Sequence, residues 1–165
     1  MDWALSYLAR YASSRAQLER YLRQRASRSL RRAGLAADPG LAGAIEHVAE
    51  RCAELGLVDE RALARSRLTR LLARGASRPQ VEADLRRRGI PPEIVREELA
   101  AFEGEAGREA EEQAARRLLE RRGLLPGPAG WSEDRRRKAL TVLARAGFTL
   151  RVAEAVIGGN REPRR

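Results

Sequence analysis

The chain holds a single histidine and a single cysteine, His47 and Cys52. Side by side they could act as base and nucleophile, or as part of a metal site. Five residues apart on a helix, they point roughly 140° apart around the axis and share no face. Two such ligands also fall short of the four that a structural zinc takes. A catalytic triad would have His47 as its only base, and no nucleophile-elbow motif lies near it. There is no phosphate loop either, because Lys138 follows three arginines and no Gly-Lys-Ser/Thr occurs. The acids sit beside arginines at helical spacing, which is the pattern of solvated ion pairs. The residues therefore predict no enzyme, no cofactor and no metal, and Cys52 reads as a core thiol.

What remains is arginine. Arg23, Arg25, Arg28, Arg31 and Arg32 form one cluster, Arg86, Arg87 and Arg88 a second, and Arg135, Arg136, Arg137 and Lys138 a third. These are the candidate contacts for a partner protein or for DNA. Basic residues near a helix C-terminus also meet the helix dipole favourably, which accounts for part of the pattern. The run 26–34 has Leu30 as its one large apolar side chain, too little for a core helix. It reads either as an arm that contacts phosphate or an acidic partner, or as a solvated extension.

The formal net charge of +10 is unevenly spread. Residues 1–40 carry 8 arginines against 3 acids, residues 41–104 carry 11 against 11, and residues 105–165 carry 14 basic residues against 9 acids. Two basic ends around a neutral middle suit a polyanion, or an acidic partner, met at two places. Aromatics are only 4% of the chain, so leucine, alanine and valine must make the core. No apolar run approaches the length of about 18 residues that spans a membrane. A lone cysteine fits a reducing compartment, and the expected location is the cytoplasm. Residues 3–32 have the arginine-rich, acid-poor composition of a transit peptide. An internal copy of the same segment argues against that reading.

That copy is the main organising signal. SRAQLERYLRQR at 14–25 and SRPQVEADLRRR at 77–88 share seven of twelve positions. ALSYLAR at 4–10 has a counterpart in ALTVLAR at 139–145, and a weaker one in RLTRLLA at 67–73. GASRPQVEADL at 75–85 aligns with GFTLRVAEAVI at 147–157. One supersecondary unit thus recurs three times, at offsets of 63 and 72.

Each unit reads as helices. Leu5, Leu8, Ala9 and Ala12 fall on one helical face, as do Leu18, Tyr21 and Leu22 in the next helix. Ser14 with Gln17, and Ser77 with Gln80, have capping-box spacing. Glu19–Arg23 and Glu82–Arg86 are i,i+4 pairs in the favourable order. Ile45, Val48, Cys52 and Leu55 make a further apolar stripe that stops at Gly56. Pro91 and Pro92 open a helix carrying Val95, Leu99 and Phe102. The chain loosens at 103–107, and a helix follows over about 109–122. LLPGPAG at 124–130 is a loop. Ser132 caps the next helix, with Glu133 and Asp134 in its first turn. No strand pattern occurs.

Three of these motifs, in order, carry a family likeness. A-L-x-x-L-A-R at 4–10, S-R-x-x-L with a following leucine at 14–22, and G-L-V-D-E with Ala64 at 56–64 resemble the RecX family of RecA recombinase regulators. The stretch from Arg67 to Leu99 is similar to that family's most regular segment, and 139–157 is similar to its last unit. Leu63 stands where the family has an aromatic residue, and Glu60 replaces a second aspartate. Residues from about 27 to 40 look like an insertion.

The resemblance implies an all-α fold, an elongated array of three tandem three-helix repeat units. Here these would span 1–57 with the basic insertion near 27–40, 58–103, and 104–165 with a basic C-terminal tail. It implies a monomer without enzymatic activity that lies along the RecA–single-stranded DNA filament and modulates it, generally by inhibition. The alternative is a module that binds nucleic acid directly through arginine-rich helices. Glu82 and Asp84 on the helix 78–88 speak against that, since carboxylates on a recognition helix repel phosphate.

Overall fold

A computed structural model describes residues 1–158 apart from Ala37 and Ala129. The basic tail expected at the C-terminus lies outside the described residues. Among these residues there are nine helices and no strand. They are α1 (Asp2–Leu8), α2 (Arg15–Arg32), α3 (Leu41–Glu54), α4 (Glu60–Ala73), α5 (Arg78–Arg87), α6 (Pro92–Ala101), α7 (Glu105–Arg121), α8 (Glu133–Ala146) and α9 (Leu150–Gly158). The fold is all-α, and three sets of three helices in chain order agree with the expected repeat. The helices close into two compact units: Met1–Arg65 with Leu85–Val95, and Ser66–Asp84 with Arg96 onward.

In the first unit, α2 starts on a complete capping box. The Ser14 hydroxyl accepts the Gln17 N–H at 3.1 Å, and the Gln17 side chain accepts the Ser14 N–H at 3.4 Å. Leu18, Leu22 and Ala26 are the buried face of α2, and Leu18 and Leu22 pack with Ala4, Ile45, Ala49, Cys52 and Val58. Tyr7 stacks on Tyr21 with ring centroids 4.2 Å apart. The buried side of α1 is Ala4, with Tyr7 and Leu8 half-buried, whereas Leu5 is 44% exposed. The expected face through Leu5, Ala9 and Ala12 is thus rotated by about one residue, roughly 100°. The helix also ends at Leu8, before Ala12 could join it. Leu55, expected on the α3 stripe, is exposed because α3 ends at Glu54 and Gly56 turns the chain at φ +68°.

The run 26–34 is mostly helix. α2 continues through it to Arg32, holding Ala26 buried and Leu30 half-buried, and stops where Gly34 takes φ +69°. The G-L-V-D-E motif has a plain mechanical account. Leu57 N–H closes the end of α3 on the Cys52 carbonyl at 2.9 Å, and Val58 is buried. Asp59 caps α4 through the Ala62 N–H at 2.8 Å, and Glu60 accepts the Arg15 N–H at the start of α2 at 3.0 Å.

In the second unit, Ala114, Ala115, Leu118 and Leu119 of α7 are buried, as are Leu143 of α8 and Val152, Ala153, Val156 and Ile157 of α9. α7 starts at Glu105, four residues before the expected position, directly after Gly104. A side chain at Gly107 would meet the Phe102 carbonyl, so glycine is what lets the chain close on itself here.

A shared closing motif appears in the helix ends. Leu-x-Arg-x-Gly-apolar occurs at 30–35, 85–90, 119–124 and 143–148. In each case the apolar residue's N–H returns to the leucine carbonyl: Leu35 to Leu30 at 3.0 Å, Ile90 to Leu85 at 3.2 Å, Leu124 to Leu119 at 2.9 Å, and Phe148 to Leu143 at 3.0 Å. This 6→1 bond around a left-handed glycine satisfies otherwise orphan helix carbonyls. By chain order α2, α5 and α8 are the middle helices of the three sets, and each is preceded by a serine: Ser14, Ser77 and Ser132.

Candidate functional site

The first arginine cluster lies along α2. Arg23, Arg25, Arg28, Arg31 and Arg32 are all exposed. At about 100° per residue, Arg25, Arg28 and Arg32 fall within an arc of roughly 60° that flanks the buried Leu18, Leu22 and Ala26 face. Arg25 stands over the Trp3 ring at 5.0 Å from its centroid, and Arg23 pairs with Glu19 at 2.8 Å, as the spacing predicts. Arg31 folds back onto the Ser27 carbonyl at 3.2 Å. Arg28 and Arg32 make no hydrogen bond or ion pair among the described residues.

The second cluster closes α5. Arg86 and Arg87 are exposed and Arg88 is half-buried. The Arg88 carbonyl accepts the Ser14 hydroxyl at 2.5 Å, so this cluster stands at the start of α2. Arg28 and Arg32 lie fourteen or more residues along that helix, about 20 Å away at 1.5 Å per residue. The two clusters are therefore separate patches of one compact unit.

The third cluster belongs to the other unit, on the first turns of α8. Arg135 donates to the Leu125 carbonyl at 3.2 Å and pins the loop before the helix. Lys138 pairs with Asp134 at 2.8 Å and holds that carboxyl below its usual range. Ser132 caps the helix as expected, accepting the Arg135 N–H at 3.4 Å. Part of this cluster is thus structural, while Arg137 and Lys138 are exposed.

Three other residues need placing. Cys52 is fully buried, and burial pushes its thiol up from the ordinary range. His47 is exposed on the same helix, so the two do not meet. Asp84 is buried and takes both Nε (3.1 Å) and Nη2 (2.8 Å) of Arg67 on one oxygen. It is not a surface carboxylate facing a duplex, and that argument against direct DNA binding falls to Glu82 alone. Arg67 and Asp84 are 17 residues apart on different helices, a spacing that carries no sequence signal. Among the described residues no group of three or more His, Cys, Asp or Glu side chains could hold a metal ion. Nor is any helix among them long and apolar enough to cross a membrane.

No family model matches the chain. It is 35% identical over 161 residues to the regulatory protein RecX of Myxococcus xanthus, covering 95% of this chain and 83% of that protein. The chain belongs to the RecX family of regulatory proteins. The RecX of Mycobacterium leprae is 33% identical over 156 residues, covering 87% of each chain. The crystal structure of RecX from Lactobacillus salivarius superposes with a TM-score of 0.64 at 18% identity, over 96% of this chain and 92% of that one. The RecX fold thus holds here despite the exchange of an aromatic for Leu63, which is 7% exposed and serves as a core residue.

Proposed function

We propose that the protein is a non-enzymatic regulator that binds along the RecA–single-stranded DNA filament and inhibits its recombinase and ATPase activities. The observation that supports this best is membership of a family of regulatory proteins across 95% of the chain. Regulation needs no chemistry of its own. A protein that binds one state of an assembly better than another shifts the population by that difference in affinity. In this reading the protein is a cytoplasmic monomer of three helical units, 1–57, 58–103 and 104–165. Its contacts are Arg25, Arg28 and Arg32 on α2, Arg86 and Arg87 on α5, and Arg137 and Lys138 on α8. Single-stranded DNA is a secondary contact.

Direct binding to nucleic acid is the second reading, and the burial of Asp84 against Arg67 favours it. Binding to the filament, to bare single strands and to duplex at matched salt separates the two. The regulator prefers the filament. When Arg86, Arg87 and Arg88 are changed together to glutamine, it binds more weakly yet keeps that preference. A direct DNA binder shows no preference, and its affinity falls with salt with a log–log slope of about −0.7 to −0.9 per phosphate contact. Equal affinity for filament and bare single strands sinks the regulator reading.

A further inference from the structure

The second compact unit contains a half-open cavity of about 250 Å³. Its floor is apolar: Leu72, Val81 and Leu99 are buried, and Phe102 is half-buried. Its lip is charged. Arg78 pairs with Glu103 at 2.7 Å, and it is also the cation that acts on the half-buried Glu111. Arg108 of α7 and Arg151 of α9 stand on the same lip, exposed, and their side chains make no hydrogen bond or ion pair among the described residues. The lip therefore carries three guanidiniums against the two carboxylates of Glu103 and Glu111, a net positive charge above an apolar floor.

Size and polarity decide what fits. Pockets for cofactors and drug-sized ligands run to about 300–1,000 Å³ and turn a few polar groups inward. This cavity is smaller, and its free charges are on the exposed rim. An apolar pit with a charged rim is the anatomy of a protein–protein hot spot, where one large side chain is buried and polar residues ring it. Two free arginines on the rim select carboxylates, which they can meet in bidentate fashion.

We infer that this cavity is a docking site for a short acidic peptide segment, one large apolar side chain entering the pit and aspartates or glutamates flanking it on Arg108 and Arg151. The site uses none of the three arginine clusters and is independent of whether they meet a filament or bare DNA.

Fluorescence anisotropy on the intact protein tests this with short labelled peptides that carry a central phenylalanine. One set has Asp and Glu flanks, a second has Lys flanks, and a third has alanine in place of the phenylalanine. The acidic phenylalanine peptide is expected to bind, and the alanine version at least about tenfold more weakly, as loss of a hot-spot anchor requires. The Lys-flanked peptide should fail to bind. The protein with Arg108→Glu and Arg151→Glu should reverse the order and prefer Lys flanks. Both residues are exposed, and circular dichroism checks that this variant folds. Reversal of preference is a readout that loss of fold cannot mimic. Absence of binding to the acidic peptide, indifference to flank charge, or an unchanged preference in the double variant each overturns the proposal. So does displacement of the peptide by a single-stranded oligonucleotide in the wild type, which would make the lip a phosphate site. A failed filament assay leaves all these outcomes untouched.

Discussion

The starts of α2 and α5 carry the same residues, Ser-Arg-x-Gln, and make the same unusual bond. Ser14 donates to the Arg88 carbonyl, and Ser77 donates to the Ala146 carbonyl, both at 2.5 Å. Each acceptor is the residue just before a left-handed glycine, Gly89 or Gly147, and both serines are fully buried. The N-terminus of one middle helix thus docks on the C-terminus of another, once within each compact unit. The arrangement sets a positive helix end against a negative one. The surroundings differ. At α2, Ala16 is packed so close that a Cβ on Gly89 would lie 2.5 Å from its own Cβ. At α5, a Cβ on Gly147 would stand 3.3 Å from the Ser77 Oγ and 3.4 Å from Pro79. The arginines diverge too. Arg15 is held by Glu19 and Glu50, while Arg78 pairs with Glu103 on the lip of a cavity. Ion pairs stand at both joints, and a cavity opens beside the second.

The two glycines should show the largest difference. Gly89→Ala combines left-handed backbone strain with overpacking against Ala16 and should lower stability by roughly 2–4 kcal/mol. Gly147→Ala meets only the strain and a tight contact, about 1–2 kcal/mol. Urea unfolding midpoints measure both, and equal losses would break the distinction between a tight and a loose joint. Ser14→Ala and Ser77→Ala each leave a helix-end carbonyl without its hydroxyl donor. Each should cost about 1–3 kcal/mol, and the two losses should match. A large loss at one serine only would show that the shared bond is not equally important in the two units.

Cys52 sharpens the comparison because it lies in the core of the first unit only. Its thiol should label with a disulfide reagent only as that unit opens, so labelling against urea reports the first joint separately from total helicity. Cys52→Ser should destabilise by roughly 1–3 kcal/mol through a poorly satisfied buried hydroxyl. Regulation by the folded variant should be intact. Its loss in a folded Cys52→Ser protein would mark the thiol as functional.

The smallest effect concerns pH. A half-buried glutamate stands by each joint: Glu60 accepts the Arg15 N–H, and Glu111 is acted on by Arg78. Burial is the main cause that raises both above the ordinary value of 4.5. The folded chain therefore holds these protons more tightly than the unfolded one. Their contribution is full below pH 4.5 and is lost as pH rises through the raised folded values. Replacing Glu60 and Glu111 by glutamine should remove this small increment and flatten the profile of stability against pH just above 4.5. An unchanged profile would contradict the burial of both carboxyls.

Much of this molecule is set by interactions within one or two helical turns, and those were legible residue by residue. The caps at Ser14 and Ser132, the stop at Gly56, the Glu19–Arg23 pair and the core positions of Leu18, Leu22, Cys52, Val95 and Leu99 all follow from local spacing. The all-α class and the family follow from their order. The sequence misplaced the buried side of α1, where a seven-residue helix with apolar residues all around leaves the choice of face to its neighbours. It left open whether the run 26–34 is an arm or a solvated extension, and the capping box and buried face of α2 carry the helix through it to Arg32. The sequence could not show the acceptors of the Ser14 and Ser77 hydroxyls, 74 and 69 residues away, or the pairing of Asp84 with Arg67. A capping serine satisfies its own helix whatever lies beyond it. Which carbonyl receives its proton, and whether a cavity opens beside it, depends on which helix end docks there, and only tertiary structure decides that.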